Sequence, residues 1–176
     1  CLIHSKEINH PVGSSLNKRV LTALAKADHV IANSKFTKEF ATKLGVKNVT
    51  VINPGCNYPI PINEEAKEFA KKIYGKASPK LITISRLDGR KSHHNIMMTV
   101  KNLLPKYPSL KYVSIGDGDE GNNLLKLRKT LGLEKSVEFI FKSTEQEKVA
   151  LLEQSNIFVM PSVIYKKSVE GFGITY

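Results

Sequence analysis

Short apolar runs and amphipathic stretches alternate through this chain almost without interruption, and that alternation confines it to an α/β fold with a parallel sheet. Leu2, Ile3 and His4 end a strand. Residues 14–26 set Leu16, Val20, Leu21, Leu24 and Ala27 on one helical face, and residues 29–32 form a short buried strand. Ser34 caps the next helix, whose apolar stripe is Phe36, Phe40, Ala41 and Leu44 and whose stop is Gly45; residues 49–52 are again a strand. Asn53-Pro54-Gly55 ends that strand, and a proline-stiffened stretch follows, Tyr58-Pro59-Ile60-Pro61-Ile62. Asn63 then caps a helix over 64–74 that stops at Gly75. Beyond it, strands at 80–85, 110–115, 136–141 and 156–160 alternate with helices at 92–104, 120–131 and 144–154. The runs Leu81-Ile82-Thr83-Ile84 and Ile157-Phe158-Val159-Met160 have the near-continuous apolar character of parallel strands buried on both faces. The connections are short, as right-handed βαβ units require.

Three prolines within the eight residues 54–61 mark the best domain boundary. Residues 1–60 read as the C-terminal part of one α/β domain, 61–78 as a linker and connecting helix, and 79–176 as a doubly wound α/β domain with ligands expected at the carboxyl ends of its strands. The chain starts without Met and stops just after a glycine-rich turn, so it is expected to be an interior fragment of a longer protein. A composition of 41% hydrophobic and 24% charged residues excludes disorder, collagen and coiled coil. No apolar run approaches the roughly 18 residues of a membrane span. Cys1 and Cys56 make no disulfide framework and fit a reducing compartment. With 27 basic residues, 23 of them Lys, against 16 acidic ones, the formal charge is +11, which favours a negatively charged partner. The excess is spread, 8 basic to 3 acidic in residues 1–60 and 19 to 13 in 61–176, so a solvated lysine-rich surface is the plainer reading.

Chemistry concentrates in three loops that follow strands. Ser85-Arg86-Leu87-Asp88-Gly89-Arg90-Lys91-Ser92-His93 places Arg86 and Lys91 five apart at the carboxyl edge of the sheet. Arg is a planar fork for two phosphate oxygens and Lys a compact point charge, a pair suited to a diphosphate, and the free N–H groups of the helix opened by Ser92 favour an anion nearby. Gly116-Asp117-Gly118-Asp119-Glu120-Gly121 matches the dinucleotide pattern G-x-G-x-x-G, but its three carboxylates would repel a pyrophosphate. Its Asp117 and Asp119 also spell a D-x-D, which on a surface turn supplies too few ligands for a tight metal site. In Ser168-Val169-Glu170-Gly171-Phe172-Gly173, two glycines let backbone N–H groups approach a ligand, and Glu170 can accept hydrogen bonds from hydroxyls; a tight turn around a packed Phe is the plainer reading. His93 and His94 adjoin the Arg86 loop without a partner legible in the sequence, and no Ser/His/Asp, Cys/His or zinc spacing stands out.

Taken together, these segments resemble retaining nucleotide-sugar glycosyltransferases of family 4 (glycosyl transferases group 1), which have the two-domain GT-B architecture. Ala27-Asp28-His29-Val30-Ile31-Ala32-Asn33-Ser34 with Val51-Ile52-Asn53-Pro54-Gly55 resembles the end of an acceptor domain and its exit to the linker. Ser85-Arg86-Leu87 with Lys91 resembles the donor-diphosphate loop G-R-L-x-x-x-K-G, Ile115-Gly116-Asp117-Gly118 the G-x-G turn, and Pro161-Ser162 with Glu170-Gly171-Phe172-Gly173 the start of E-x₇-E. Ser85 and Ser92 stand where the family has glycines, which narrows the space for the phosphates, and the second Glu would fall two residues beyond Tyr176.

The resemblance implies a GT-B-like fold with a Rossmann-type donor domain over 79–176, and transfer of a sugar from a nucleoside diphosphate sugar to an acceptor hydroxyl with retention. Arg86, Lys91 and Glu170 would be the catalytic residues. Ser85, Gly116, Gly171, Phe172 and Gly173 would contact the donor, a UDP-, GDP- or ADP-sugar, with no metal and no other cofactor. The other partners implied are a saccharide or lipid-linked acceptor and an anionic membrane touched peripherally, from the cytoplasm, in the synthesis of cell-envelope polysaccharide, lipopolysaccharide or glycolipid. Nucleic acid is not expected, because the lysines are interleaved with acids and no aromatic RNA-binding motif is present. The chain by itself is expected to self-associate and to lack transferase activity. The rival reading is an NAD(P)-binding oxidoreductase built on residues 116–121.

Overall fold

In the computed structural model, residues 1–4, 7–57, 60–163 and 171–173 are described. They divide into two compact units, one comprising Cys1–Cys56 with the described residues from Ser162 on, the other Asn57–Pro161.

The first unit has a three-stranded parallel sheet of order β1-β2-β3, from β1 (Leu2–Ile3), β2 (Val30–Ala32) and β3 (Val49–Val51). Helices α1 (Ser15–Ala25) and α2 (Lys35–Lys43) connect them. Each helix is opened by the serine that its sequence offers: the Ser14 hydroxyl accepts from Asn17 N at 3.2 Å and the Ser34 hydroxyl from Thr37 N at 3.1 Å. Ile3, Leu24, Val30, Ala41 and Val49 make the core. The apolar stripes are displaced in both first turns. Leu16 and Phe36 are about half exposed, whereas polar Asn17 and Thr37 are buried. The polar pair goes in because each has a local partner there. Asn17 Oδ1 accepts from Gly13 N at 3.1 Å, and the Thr37 hydroxyl donates to Asn33 Oδ1 at 2.7 Å.

The second unit carries a four-stranded parallel sheet of order β6-β5-β4-β7, made of β4 (Lys80–Ile84), β5 (Lys111–Ile115), β6 (Val137–Ile140) and β7 (Ile157–Phe158). Helices α3 (Glu64–Tyr74), α4 (His93–Leu103), α5 (Gly121–Leu131) and α6 (Glu145–Glu153) cover it. Strand alternation sends neighbouring residues to opposite faces. Leu81, Tyr112, Val137 and Phe139 pack with Ile96, Met97, Val100 of α4 and Leu124 of α5; Ile82, Val113 and Ile115 pack with Ala66, Ala70, Tyr74 of α3 and Ala150, Leu151 of α6. This is the doubly wound, Rossmann-type sheet that the run of elements implied. α3, in the stretch read as linker and connecting helix, is thus one of the layers of this unit. Asn63 Oδ1 caps it by accepting from Ala66 N at 2.9 Å, and α6 opens on a reciprocal capping box between Thr144 and Glu147.

One expectation is corrected here. The run 157–160 is not buried on both faces. β7 pairs only with β4 among the described residues, which makes it an edge, and Ile157 is 51% exposed. The helix after Arg86 opens at Ser92 as expected, and a 3₁₀ turn over Gly89–Lys91 precedes it. Its exit, Ser92, adopts the left-handed conformation at φ 60° and gives α4 no side-chain cap. Left-handed backbone costs a residue with a Cβ about 1–2 kcal/mol, which supplies a physical reason for a glycine at this place. Ser92→Gly is therefore expected to stabilise the chain by about 0.5–1 kcal/mol, after losing the hydrogen bond that Asn95 Nδ2 donates to the Ser92 hydroxyl at 2.8 Å. Urea denaturation of the two forms measures it, and a lower midpoint for the glycine variant would contradict it.

Candidate functional site

In a parallel sheet, every strand ends at the same edge, and its connecting loops meet there. A strand order that reverses beside the first strand opens a crevice at that edge. Here the reversal lies between β4, which starts the unit's sheet, and β7. On the other side of β4 from that reversal, the loops after β4, β5 and β6 enclose a cleft of about 360 Å³ lined by Ser85, Arg86, Gly116, Asp117, Lys142 and Lys148, with the Phe141 ring as an apolar wall. Three cations and one carboxylate make it a net positive recess. Lys148 is ion-paired with Glu145 at the start of α6, so part of its charge is already answered.

Arg86 is exposed between two fixed neighbours. Leu87 is fully buried in the core under α4 and α5, and anchoring a leucine this way is worth about 1.5–3 kcal/mol. Its backbone is stitched to the neighbouring loop: Leu87 N donates to Asp117 O, and Leu87 O accepts from Glu120 N, both at 3.0 Å. Ser85 N donates to Ile115 O at 3.0 Å. The glycines of the turn exist for this approach. A Cβ on Gly116 would lie 2.1 Å from Ser85 O, and one on Gly118 would lie 2.4 Å from Leu87 O. Gly116 and Gly118 are therefore taken up by the 85–87 backbone, while Asp117 accepts from Gly118 N at 2.8 Å inside its own turn. A dinucleotide pyrophosphate is not what these glycines accommodate, which removes the ground for the oxidoreductase reading.

The structure separates the two cations of the diphosphate pattern. Lys91 does not line this cleft. It is 7% exposed, its backbone N donates to Asp88 Oδ1 at 3.2 Å, and its Nζ lies 3.3 Å from Met160 Sδ beyond β7. Arg86 and Lys91 thus lie to either side of β4, Arg86 on the β5 side and Lys91 on the β7 side. Between them in sequence, Arg90 is held 3.9 Å from the Asp88 carboxylate. Ser92, expected to narrow the phosphate space, is buried and does not line the cleft; Ser85 does. Gly171, Phe172 and Gly173 group by contacts with the first unit, with Gly173 in the left-handed region at φ 77°, and Glu170 lies outside the described residues.

One group near the cleft, named from the sequence without a partner, finds its partners in the structure. His93, 2% exposed, stands under the Arg86 loop as the first residue of α4. Its Nδ1 is 3.0 Å from the Tyr112 hydroxyl and 3.3 Å from that of Ser114, and its Nε2 is 3.3 Å from the Ser85 hydroxyl and 3.4 Å from Arg86 O. Tyr112 donates at 2.9 Å to Thr83 Oγ1, which donates to Val159 O. Burial holds the His93 ring below the usual imidazole range, against the opposing pull of the Arg86 carbonyl and Asp88, and pushes Tyr112 up to about 12. The available signal was polar residues, Thr83 and Ser114, inside strands otherwise apolar, since a buried hydroxyl requires a partner.

Among the described residues, no group of three or more His, Cys, Asp or Glu is placed to hold a metal, and no helix is long and apolar enough to cross a membrane. Manganese is expected to leave the melting temperature unchanged in both the wild type and Asp117→Asn; a rise confined to the wild type would place a metal at that turn.

Comparison with known proteins connects the cleft to a family. Among curated proteins, an uncharacterized glycosyltransferase of Methanocaldococcus jannaschii is 28% identical over 142 residues, 78% of this chain and 34% of its own. The D-inositol 3-phosphate glycosyltransferase of Corynebacterium urealyticum is 27% identical over 137 residues, 72% of this chain and 31% of its own. The chain therefore spans about a third of the length of these relatives. Among solved structures, Anabaena HepE in complex with UDP-glucose matches 92% of this chain and 46% of its own with a TM-score of 0.72 at 19% identity. The pneumococcal O-GlcNAc transferase GtfA in complex with UDP and GlcNAc matches 92% and 30% with a TM-score of 0.70 at 18% identity, and these likenesses establish a GT-B-like fold. Residues 64–176, which contain the whole cleft, match the family described as glycosyl transferases group 1, and the chain belongs to that family.

Proposed function

We propose that the unit formed by β4–β7 binds the nucleoside diphosphate sugar of a family 4 glycosyltransferase, which transfers the sugar to an acceptor hydroxyl with retention. The observation that carries this reading is the positive cleft at the carboxyl edge of the sheet, with Arg86 presented by a loop locked on both sides. The diphosphate lies across the end of β4, from Arg86 toward Lys91. It gains negative charge as the sugar leaves, so two cations fixed beforehand stabilise the transition state more than the bound donor. The base lies against Phe141. Glu170 holds sugar hydroxyls, and the N–H groups of Gly171, Phe172 and Gly173 contact sugar or phosphate oxygens; these roles rest on the motif. The UDP in the complexes of HepE and GtfA favours a UDP-sugar among the candidate donors. The charge of +11 fits a cytoplasmic enzyme that meets a lipid-linked or saccharide acceptor at an anionic membrane face, in envelope polysaccharide or glycolipid synthesis.

The test is calorimetric titration of the chain with UDP-glucose, UDP-GlcNAc, GDP-mannose, ADP-glucose and NAD. Binding of a nucleotide sugar without binding of NAD is expected. NAD binding in its place would overturn the reading.

A further inference from the structure

We propose that His93 is a positioning residue for the donor diphosphate, its ring protonation setting whether the Ser85 hydroxyl donates inward to the ring or outward into the cleft. This rests on the donor-site reading above. The hydrogen-bond chain through the sheet has a fixed direction, because it ends on Val159 O, which can only accept. Thr83 must donate to that carbonyl and Tyr112 to Thr83, which leaves the Tyr112 oxygen to accept from His93 Nδ1–H. This hydrogen-bond chain favours the neutral tautomer with its proton on Nδ1, leaving Nε2 to accept from the Ser85 hydroxyl at 3.3 Å; Arg86 O, 3.4 Å from Nε2 and able only to accept, gains its donor when the ring is protonated.

The consequence reaches the cleft through Ser85, which lines it. While Ser85 donates to Nε2, only its lone pairs remain for the cleft, and lone pairs repel an acceptor-only diphosphate. When a proton from solution binds Nε2, the ring becomes the donor to Ser85 Oγ and to Arg86 O. The Ser85 hydrogen then turns toward the phosphate oxygens in place of Arg86 O, which lies 3.3 Å from the Ser85 hydroxyl and now accepts from the ring. The charged and polar groups facing the ring are Asp88 and Lys91 from the 3₁₀ turn, the Arg86 carbonyl from the β4 loop, His94 on its own helix and Glu120 at the start of α5; Tyr112 faces it from β5. Burial, helped by Lys91 and His94, opposes the imidazolium more than the Arg86 carbonyl and Asp88 favour it, so the empty site holds the ring below the usual imidazole range. A bound diphosphate adds the missing anion and raises the ring's affinity for a proton. Affinity for the donor therefore rises as pH falls through the interval between the ring's values in the empty and occupied sites, and levels off on either side.

The experiment titrates the chain with UDP-glucose, whose diphosphate has no proton to lose near neutrality, from pH 5 to 8. Wild type, His93→Gln and Ser85→Ala are compared, with ¹⁵N spectra of the His93 ring and of the Arg86 and Leu87 amides recorded over the same range. Expected is an affinity several-fold higher at the acid end in the wild type, and a flat profile in both variants. In the ligand-free spectra, the ring nitrogens and the two amides shift with one common midpoint. A pH profile kept in either variant, or amides that ignore the ring's titration, overturns the proposal. If UDP-glucose does not bind the wild type while ring and amides still titrate together, the donor-site reading fails and with it the role toward the diphosphate, and only the coupling of the ring to the 85–87 segment stands.

Discussion

Replacing Gly116 by alanine is expected to cost the chain about 3 kcal/mol or more and to abolish nucleotide-sugar binding with it. The added methyl would sit 2.1 Å from the carbonyl oxygen of Ser85 and 2.9 Å from its carbon, and neither is a side chain that can swing away. The glycine also sits at φ 135°, where alanine is strained even in open space. Three other glycines separate these two causes. Gly118 has no such φ, yet a methyl there would meet Leu87 O at 2.4 Å, so Gly118→Ala isolates the clash. Gly132 has φ 68° with nothing within 4 Å, so Gly132→Ala isolates the backbone term, about 1 kcal/mol. Gly55 has neither, and its alanine is expected to be neutral. Urea midpoints of the four variants at unchanged slope give the order. A Gly116 variant no less stable than the Gly132 variant would mean that the 85–87 and 116–118 backbones are not in contact.

Arg86→Ala is expected to weaken UDP-glucose binding about tenfold or more, since a charge-assisted contact is worth about 1.5–3 kcal/mol. Arg86 is exposed and its removal leaves no cavity, so the loss is read in affinity while the urea midpoint stays close to wild type. Arg86→Lys keeps the charge and loses the planar fork, and it is expected to recover only part of the affinity. Lys91→Ala is expected to lose a similar factor, but with a lower midpoint, because Lys91 is buried against Met160. The smaller effect belongs to Lys148→Ala, whose ammonium already pairs with Glu145. Calorimetry on folded variants distinguishes these cases. Unchanged affinity in Arg86→Ala would remove Arg86 from the diphosphate and leave the cleft without its principal cation.

The alternation of elements, the helices closed by Gly45 and Gly75, the caps at Ser34 and Asn63, and the two-faced sheet around Leu81 and Ile82 were all legible in the residues. Such features are short in range: a cap is decided within about four residues and a strand's faces by its own alternation. Arg86 could be placed at the edge of a sheet for the same reason, because the strand before it and the helix after it were both visible. What the residues could not convey depends on which strand lies beside which. Gly116 is needed because β5 lies against β4 and brings its loop onto Ser85, and His93 finds Tyr112 and Thr83 only through that same pairing. Lys91 turns toward Met160 while Arg86 faces the cleft because the 3₁₀ turn that ends on Lys91 carries it to the side of β7, the strand that joins from the far side. The left-handed Ser92 and the outward Phe36 were hidden likewise, since a helical period records which residues share a face and not which face the rest of the fold will cover. Local chemistry determined the elements and the candidate loops of this chain; contacts between residues about thirty apart, available only after the sheet is ordered, decided which side chains meet in the site.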